Sequence, residues 1–433
     1  PQQRGITGYM KENAFSMAWS KKTGFWETSF RTAYNDRSFA AQNFYTSFSS
    51  DTAVERVKIF WNQLNAHYQK NRDQVMIYAG FKNTEDNYRF SSISSANSSF
   101  SNLFQLNTLY LRNQSNRTKY TFGGQYIGRN IRSNDRGRHT VHQMALYGIW
   151  QESFNSHFSS NTSLRVEYAS NGGWVFVPQL NLSYQLNQIQ LRASAGYAYR
   201  NADFTELFNN YNRTGIRSGS IGNPNLQAEK SFNYEFGLDW IANTNNKFSF
   251  SVFNRNSRDL IDWSLTAYAD MPRKETVVVG GNFLLAKNQS SVQVNGIELD
   301  YLLDKKISET ESIKFKSGLI WINTDSKSGP LSFYLSSAPK FLANFATTFS
   351  TKLVDFNLTG LYKSRNEQTA NPILLPINSD YFVMNTKINF RFNKVKHVVF
   401  IQADNLFNST INDFIGAPLP GRWLQAGVRL VFN

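Results

Sequence analysis

The chain has 433 residues, 15% of them aromatic and only 18% charged, with a formal net charge of +15. A chain this aromatic and this sparsely charged must hide much aromatic surface, yet it holds no apolar run long enough for a membrane-spanning helix. It has no cysteine, which excludes disulfides, thiolate metal sites and a cysteine nucleophile.

The first residues, Pro1-Gln2-Gln3-Arg4, lack the apolar core of an export signal, so a processed chain or a fragment is expected. From near Asn13 onward the sequence alternates apolar and polar residues with a period of two. Leu180, Leu182, Tyr184 and Leu186 oppose Asn181, Ser183 and Gln185. Phe232, Tyr234, Phe236, Leu238 and Trp240 oppose Asn233, Glu235, Gly237 and Asp239. The same holds from Phe382 to Phe392, and at the end for Leu424, Ala426, Val428, Leu430 and Phe432. Successive side chains of a strand point to opposite faces, so every segment has one greasy and one polar face. The segments are longer than sandwich strands and match the roughly 9–11 residues that a tilted strand needs to cross a bilayer. About nineteen such segments reach to Phe432. The reading is all-β: a transmembrane antiparallel β-barrel with a polar inside.

Short connections, as at Lys21–Gly24, Leu186–Gln188 and Ile241–Asn246, alternate with long ones at Asn35–Ala53, Asn201–Glu229 and Asn366–Asp380. Short periplasmic turns and long outer loops are the pattern of outer-membrane barrels. A last strand that descends to the periplasm places every long connection outside. Nineteen is odd, and bacterial single-chain barrels are even, so strands are expected to precede this chain.

The basic run from Arg129 to Arg138 reads either as a solvated loop or as an attraction for anionic lipopolysaccharide or ligand. The basic residues are otherwise scattered, which disfavours nucleic acid. Of the five histidines, His139 and His142 lie three apart; on a strand they face opposite ways, which disfavours a metal pair. No nucleophile–base set, phosphate loop or paired-carboxylate motif is present, so neither an enzyme nor a resident cofactor is expected.

Arg200-Asn201-Ala202-Asp203-Phe204-Thr205-Glu206-Leu207-Phe208, followed by Gly222-Asn223-Pro224-Asn225-Leu226-Gln227-Ala228-Glu229-Lys230-Ser231, resembles the paired boxes of TonB-dependent receptors. Val294–Leu299, Asp404–Asn408, Pro420-Gly421-Arg422 and Asn35–Phe39 with Asn43-Phe44-Tyr45 resemble further family signatures, the last in its Bacteroidetes form. The first box departs from the usual Arg-Ala-Pro at Asn201-Ala202-Asp203. Physically, Gly222, Asn223, Pro224, Asn225 and Leu226 suit a loop-to-strand corner; a direct ligand role for Asn223 or Asn225 is the alternative.

The resemblance implies 22 strands around an N-terminal plug. On that basis about 200 or more further residues are expected before Pro1, carrying the plug and the missing strands. It also implies TonB as partner, with outer-membrane lipid around the wall and a surface lipoprotein as a further candidate. The implied activity is import of a small nutrient, foremost a ferric siderophore, with cobalamin as the alternative and a passive porin or an outer-membrane enzyme behind them. No histidine lies between the two boxes, which disfavours haem. Candidate ligand residues are the loop aromatics and arginines Phe44, Tyr45, Arg200, Tyr211, Arg213, Arg217, Tyr268 and Arg273, because aromatic faces and guanidinium donors suit a bulky polar ligand. Phe432, one residue from the end, resembles the aromatic read by the outer-membrane assembly machinery.

Overall fold

A computed structural model describes residues 8–42, 51–289, 291–326, 338–365, 378–392, 397–414 and 417–430. Phe44, Tyr45 and Phe432 lie outside the described residues. Nineteen strands, from Met10–Thr23 to Trp423–Arg429, form one antiparallel sheet. Each pairs with its neighbour in the chain, as in Met10–Thr23 with Trp26–Ala40 and Val398–Asp404 with Trp423–Arg429. The two outermost strands each have one partner among the described residues.

The hairpin rhythm follows from local chemistry. On one rim every connection has two to six residues. Asn71 and Asn187 open two-residue turns there with positive φ, a conformation that asparagine tolerates better than most residues. The other rim carries the long connections at 41–53, 201–228 and 259–291. Two outer connections are short, however, at 134–136 and 170–172. The run Arg129–Arg138, one reading of which was a solvated loop, is therefore mostly strand. It closes Thr118–Ser133, crosses a three-residue turn and opens Gly137–Ser153.

The alternation sorts the two faces as the sequence demands. Leu146 on the outward face is 71% exposed, and Phe232, Tyr234, Phe236 and Trp240 are exposed together. In a membrane such a face meets lipid tails, and paired strands leave no ladder group unsatisfied there. The inward face is polar and internally bonded. Glu167, nearly buried, accepts from Arg165 Nε at 2.9 Å, from Gln143 at 3.4 Å and from the Tyr199 hydroxyl. Arg165 also reaches Gln125 at 2.7 Å. A buried charge costs little only when paired and hydrogen-bonded in this way. On the strand Val292–Lys306, the Phe253 ring lies where a Cβ of Gly296 would stand. The glycine in that family signature is thus required by packing rather than by chemistry.

The longest strands have 17 residues, which at a 45° tilt span about 40 Å. That exceeds an apolar band about 25 Å tall, so the strands extend past the apolar band. Asn212 of the 201–228 connection donates to the Asp135 and Asn134 carbonyls, at 2.7 and 3.3 Å. A loop from the tenth strand reaches the turn between the sixth and seventh because the sheet curves around its polar face.

Candidate functional site

Connections 201–228 and 259–291 fold together as a cap on the outer rim. The cap begins at Arg200, the last residue of its strand, which stands directly across from Glu229. Its guanidinium makes bidentate contacts to two carboxylates, Glu229 at 2.6 and 2.7 Å and Glu206 at 2.8 and 2.8 Å. Glu206 also accepts the Asp203 amide, while the Asp203 side chain caps the helix Phe204–Phe208. This is a capping box, and it explains the departure at Asp203. Arg200 therefore joins strand end to helix, its donors directed at carboxylates.

The second box stacks on this helix. The Asn223 amide donates to the Glu206 carbonyl at 2.8 Å, its side chain donates to the Ala286 carbonyl at 3.0 Å, and its Oδ1 accepts the Asn225 amide. A Cβ on Gly222 would come within 2.4 Å of the Phe208 amide nitrogen, so only glycine fits that approach. Leu226 is buried with Ala202, Leu207, Ile261 and Ala286. Gly222 to Leu226 thus form the structural corner, and Pro224 sits within it.

A three-stranded sheet supports the cap: Ser220–Ile221, Asn282–Asn288 and Ile261–Ala267. Ile221, Met271, Val277, Phe283 and Leu285 make its core, with Phe283 fully enclosed. Sequence reasoning placed loop residues here but missed this folded unit. The alternation of Ile261–Ala267 was its only signal.

On the mouth side the cap gathers aromatics and cations. Arg273 lies 3.9 Å from the Tyr211 ring centroid and donates to the Tyr211 carbonyl at 2.8 Å. Tyr211 meets Phe208 edge-on, and Phe208 stacks on His139 at 3.4 Å. Arg213 bonds Asn97 across the mouth. Tyr268 packs on the cap core with Lys274 over its ring, and Arg217 is exposed. Of the predicted residues the structure brings Tyr211 and Arg273 into contact, places Arg213 at the mouth, and sets Arg200 apart between Glu206 and Glu229. Phe208, His139 and Lys274 were not among the ligand candidates, His139 being weighed only as half of a metal pair and Phe208 only as part of the first box. His139 and His142 do face opposite ways, His142 bonding the Tyr126 hydroxyl at 2.9 Å outside. Among the described residues no three potential metal ligands converge.

A second tie holds the loop 405–422. Asp413 meets Lys363 at 2.9 Å and also pairs with Arg365. Burial alone would raise the Asp413 carboxyl, but hydrogen bonds and charges from Lys363 and Arg365 outweigh it and hold it below the usual carboxylate range. Asn405, with positive φ, donates to the Ser409 and Pro420 carbonyls. Asn408 accepts the Arg422 amide. The signatures at Asp404–Asn408 and Pro420–Arg422 are therefore two halves of one turn lock.

Comparison with known proteins agrees with this architecture. The vitamin B12 transporter BtuB of Photobacterium profundum is 20% identical over 413 residues, covering 88% of this chain and 60% of that protein. The chain thus spans 60% of the length of the curated relative it matches. The siderophore receptor PirA of Pseudomonas aeruginosa superposes with a TM-score of 0.73 at 16% identity, over 97% of this chain and 70% of that one. The ferric enterobactin receptor PfeA of Pseudomonas aeruginosa, in a mutant form, gives 0.75 at 14% identity, over 99% and 71%. These structural likenesses establish the barrel fold. The family model for the TonB dependent receptor-like β-barrel matches residues 5–406. With its greasy outward belt, polar inward face and long loops on one rim, the chain belongs to the TonB-dependent receptors and is an outer-membrane β-barrel of that family.

Proposed function

We propose that the protein to which this barrel belongs imports a ferric siderophore across the outer membrane, driven by TonB. The observation that carries this reading is the mouth cluster of Phe208, Tyr211 and Arg273 under the cap, with Arg213 and Lys274 beside it. Aromatic faces and cations together suit an anionic chelate with flat ligand groups. The likeness to PirA, described as a siderophore receptor, and to PfeA, described as a ferric enterobactin receptor, supports the same class. Cobalamin is the second reading, supported by the likeness to BtuB.

TonB would act through a plug and TonB box in the longer protein. Leu265 and Val279, exposed on the cap, give a surface lipoprotein an apolar contact. The test is growth of a gene-deletion strain on single iron sources and on limiting cobalamin, complemented with the intact gene or with Tyr211→Ala and Arg273→Gln together. Loss on one siderophore, restored by the intact gene and about tenfold less well by the double variant, supports the reading. Unchanged growth on every siderophore refutes it, and loss on cobalamin alone selects the second reading.

A further inference from the structure

The outward face of the strands Asn97–Asn113 through Gly173–Leu186 carries two features that transport does not use. In the first, Arg132 and Arg138 stand directly opposite each other across the three-residue turn. Like charges directly opposite destabilise a strand pair. Both side chains are exposed, and no carboxylate pairs with either among the described residues. Arg132 rests on the Phe100 ring at 5.6 Å. Together with Asn134 and Asn212 they line an open cavity of about 750 Å³. Glu85 borders it but is paired with Lys58 at 3.1 Å. The two arginines thus face an open cavity with no carboxylate partner of their own, the one carboxylate at its border being engaged by Lys58.

The second feature lies directly below on the same strands. Leu106, Tyr126, Met144, Tyr168 and Trp174 form one register row across five strands. The row beneath contains Gly124, whose missing side chain leaves a gap beside Leu146 and Thr108. The result is a groove of about 540 Å³ lined almost wholly by carbon. Depth fixes where these features sit. Trp150, on the short-turn side, and Arg138 are twelve positions apart on one strand, or about 28 Å along the membrane normal at a 45° tilt. With an apolar band about 25 Å tall, the arginine pair stands at the headgroup level of the outer leaflet. The groove lies about 14 Å deeper, counted from Arg138 to Met144, within reach of an acyl chain.

We propose that this face holds one phosphorylated, acylated lipid of the outer leaflet, its phosphate between Arg132 and Arg138 and one acyl chain in the groove under Trp174. Guanidinium pairs bind phosphate oxygens bidentately, and the anion relieves the repulsion between them. The charge complementarity and the depth together select a membrane lipid over a soluble anion.

The full-length receptor, extracted in mild detergent and delipidated, is titrated with lipid A, phosphatidylcholine and inorganic phosphate, with bound copies counted by native mass spectrometry. One lipid A should bind the wild type, with phosphatidylcholine and inorganic phosphate far weaker. R132Q/R138Q should weaken lipid A binding about tenfold, and it removes a repulsion, so folding is not at risk. G124L, which fills the groove from the lipid side, should weaken lipid A about threefold without changing phosphate binding. Heat-dependent gel migration confirms that each variant is folded, and R132K/R138K should retain part of the affinity. Equal lipid A binding by folded wild type and R132Q/R138Q overturns the proposal. So does inorganic phosphate binding as tightly as lipid A, or G124L without effect.

Discussion

Replacing Arg200 by methionine keeps its bulk and removes its charge. Two carboxylates that are 15% and 16% exposed then face each other without their shared cation. Breaking a fully buried pair costs about 3–5 kcal/mol. The Arg200 side chain is 45% exposed, so solvent screens part of that, and about 2 kcal/mol is the expected local cost. This falls on the cap, because the sheet below is held by its own ladder. About 2 kcal/mol corresponds to opening of the helix Phe204–Phe208 roughly 30 times more often. Hydrogen exchange reads this at two amides: Leu207, bonded to the Asp203 carbonyl, and Asn223, bonded to the Glu206 carbonyl. Protection at both should fall by about that factor, while amides of the strand Glu229–Asn243 beyond its first turn hold. Adding E206Q should restore part of the protection, since it removes one stranded carboxylate. A change below about threefold at both amides would show that the corner, not the arginine, holds the cap.

Gly222→Ala forces a Cβ onto backbone atoms of Leu207, Phe208 and Asn209; because backbone cannot rotate away, the cap should loosen by about 2–3 kcal/mol, read as faster proteolysis between residues 201 and 228 with unchanged barrel heat stability. The Asp413 tie should depend on pH. A carboxyl held below its usual range contributes stability that is complete at neutral pH and fades as pH falls through the carboxylate range. The amide of Asn412, bonded to Asn378 at 2.6 Å, should therefore lose protection on acidification, and D413N should be weak at neutral pH and insensitive to further acid. Protection that is flat across that range would refute the linkage.

The alternation of Phe232–Trp240, the strand number and the sidedness of the loops were all legible in the sequence, because a period of two is a local property and a greasy belt admits one environment. Arg200 was different. As a loop-side arginine it resembled a ligand residue, and only the folded chain brought Glu206 and Glu229 to its two sides. The cap core was invisible for a similar reason. Ile221 and Phe283 are distant in sequence and belong to short strands whose pairing closes a long loop, so no local pattern announces it.

The sequence by itself determined that this chain is an outer-membrane wall, since each strand carries its own instruction for which face meets lipid. The tertiary structure alone decided what the loops and charges do. The run Arg129–Arg138 shows the division: its composition says only that it is basic. The turn at 134–136 and the strand parity turn Arg132 and Arg138 outward, side by side at the headgroup level, and turn His139 inward beneath Phe208. Which charges meet is a matter of register between strands, and register is set by pairing and not by composition.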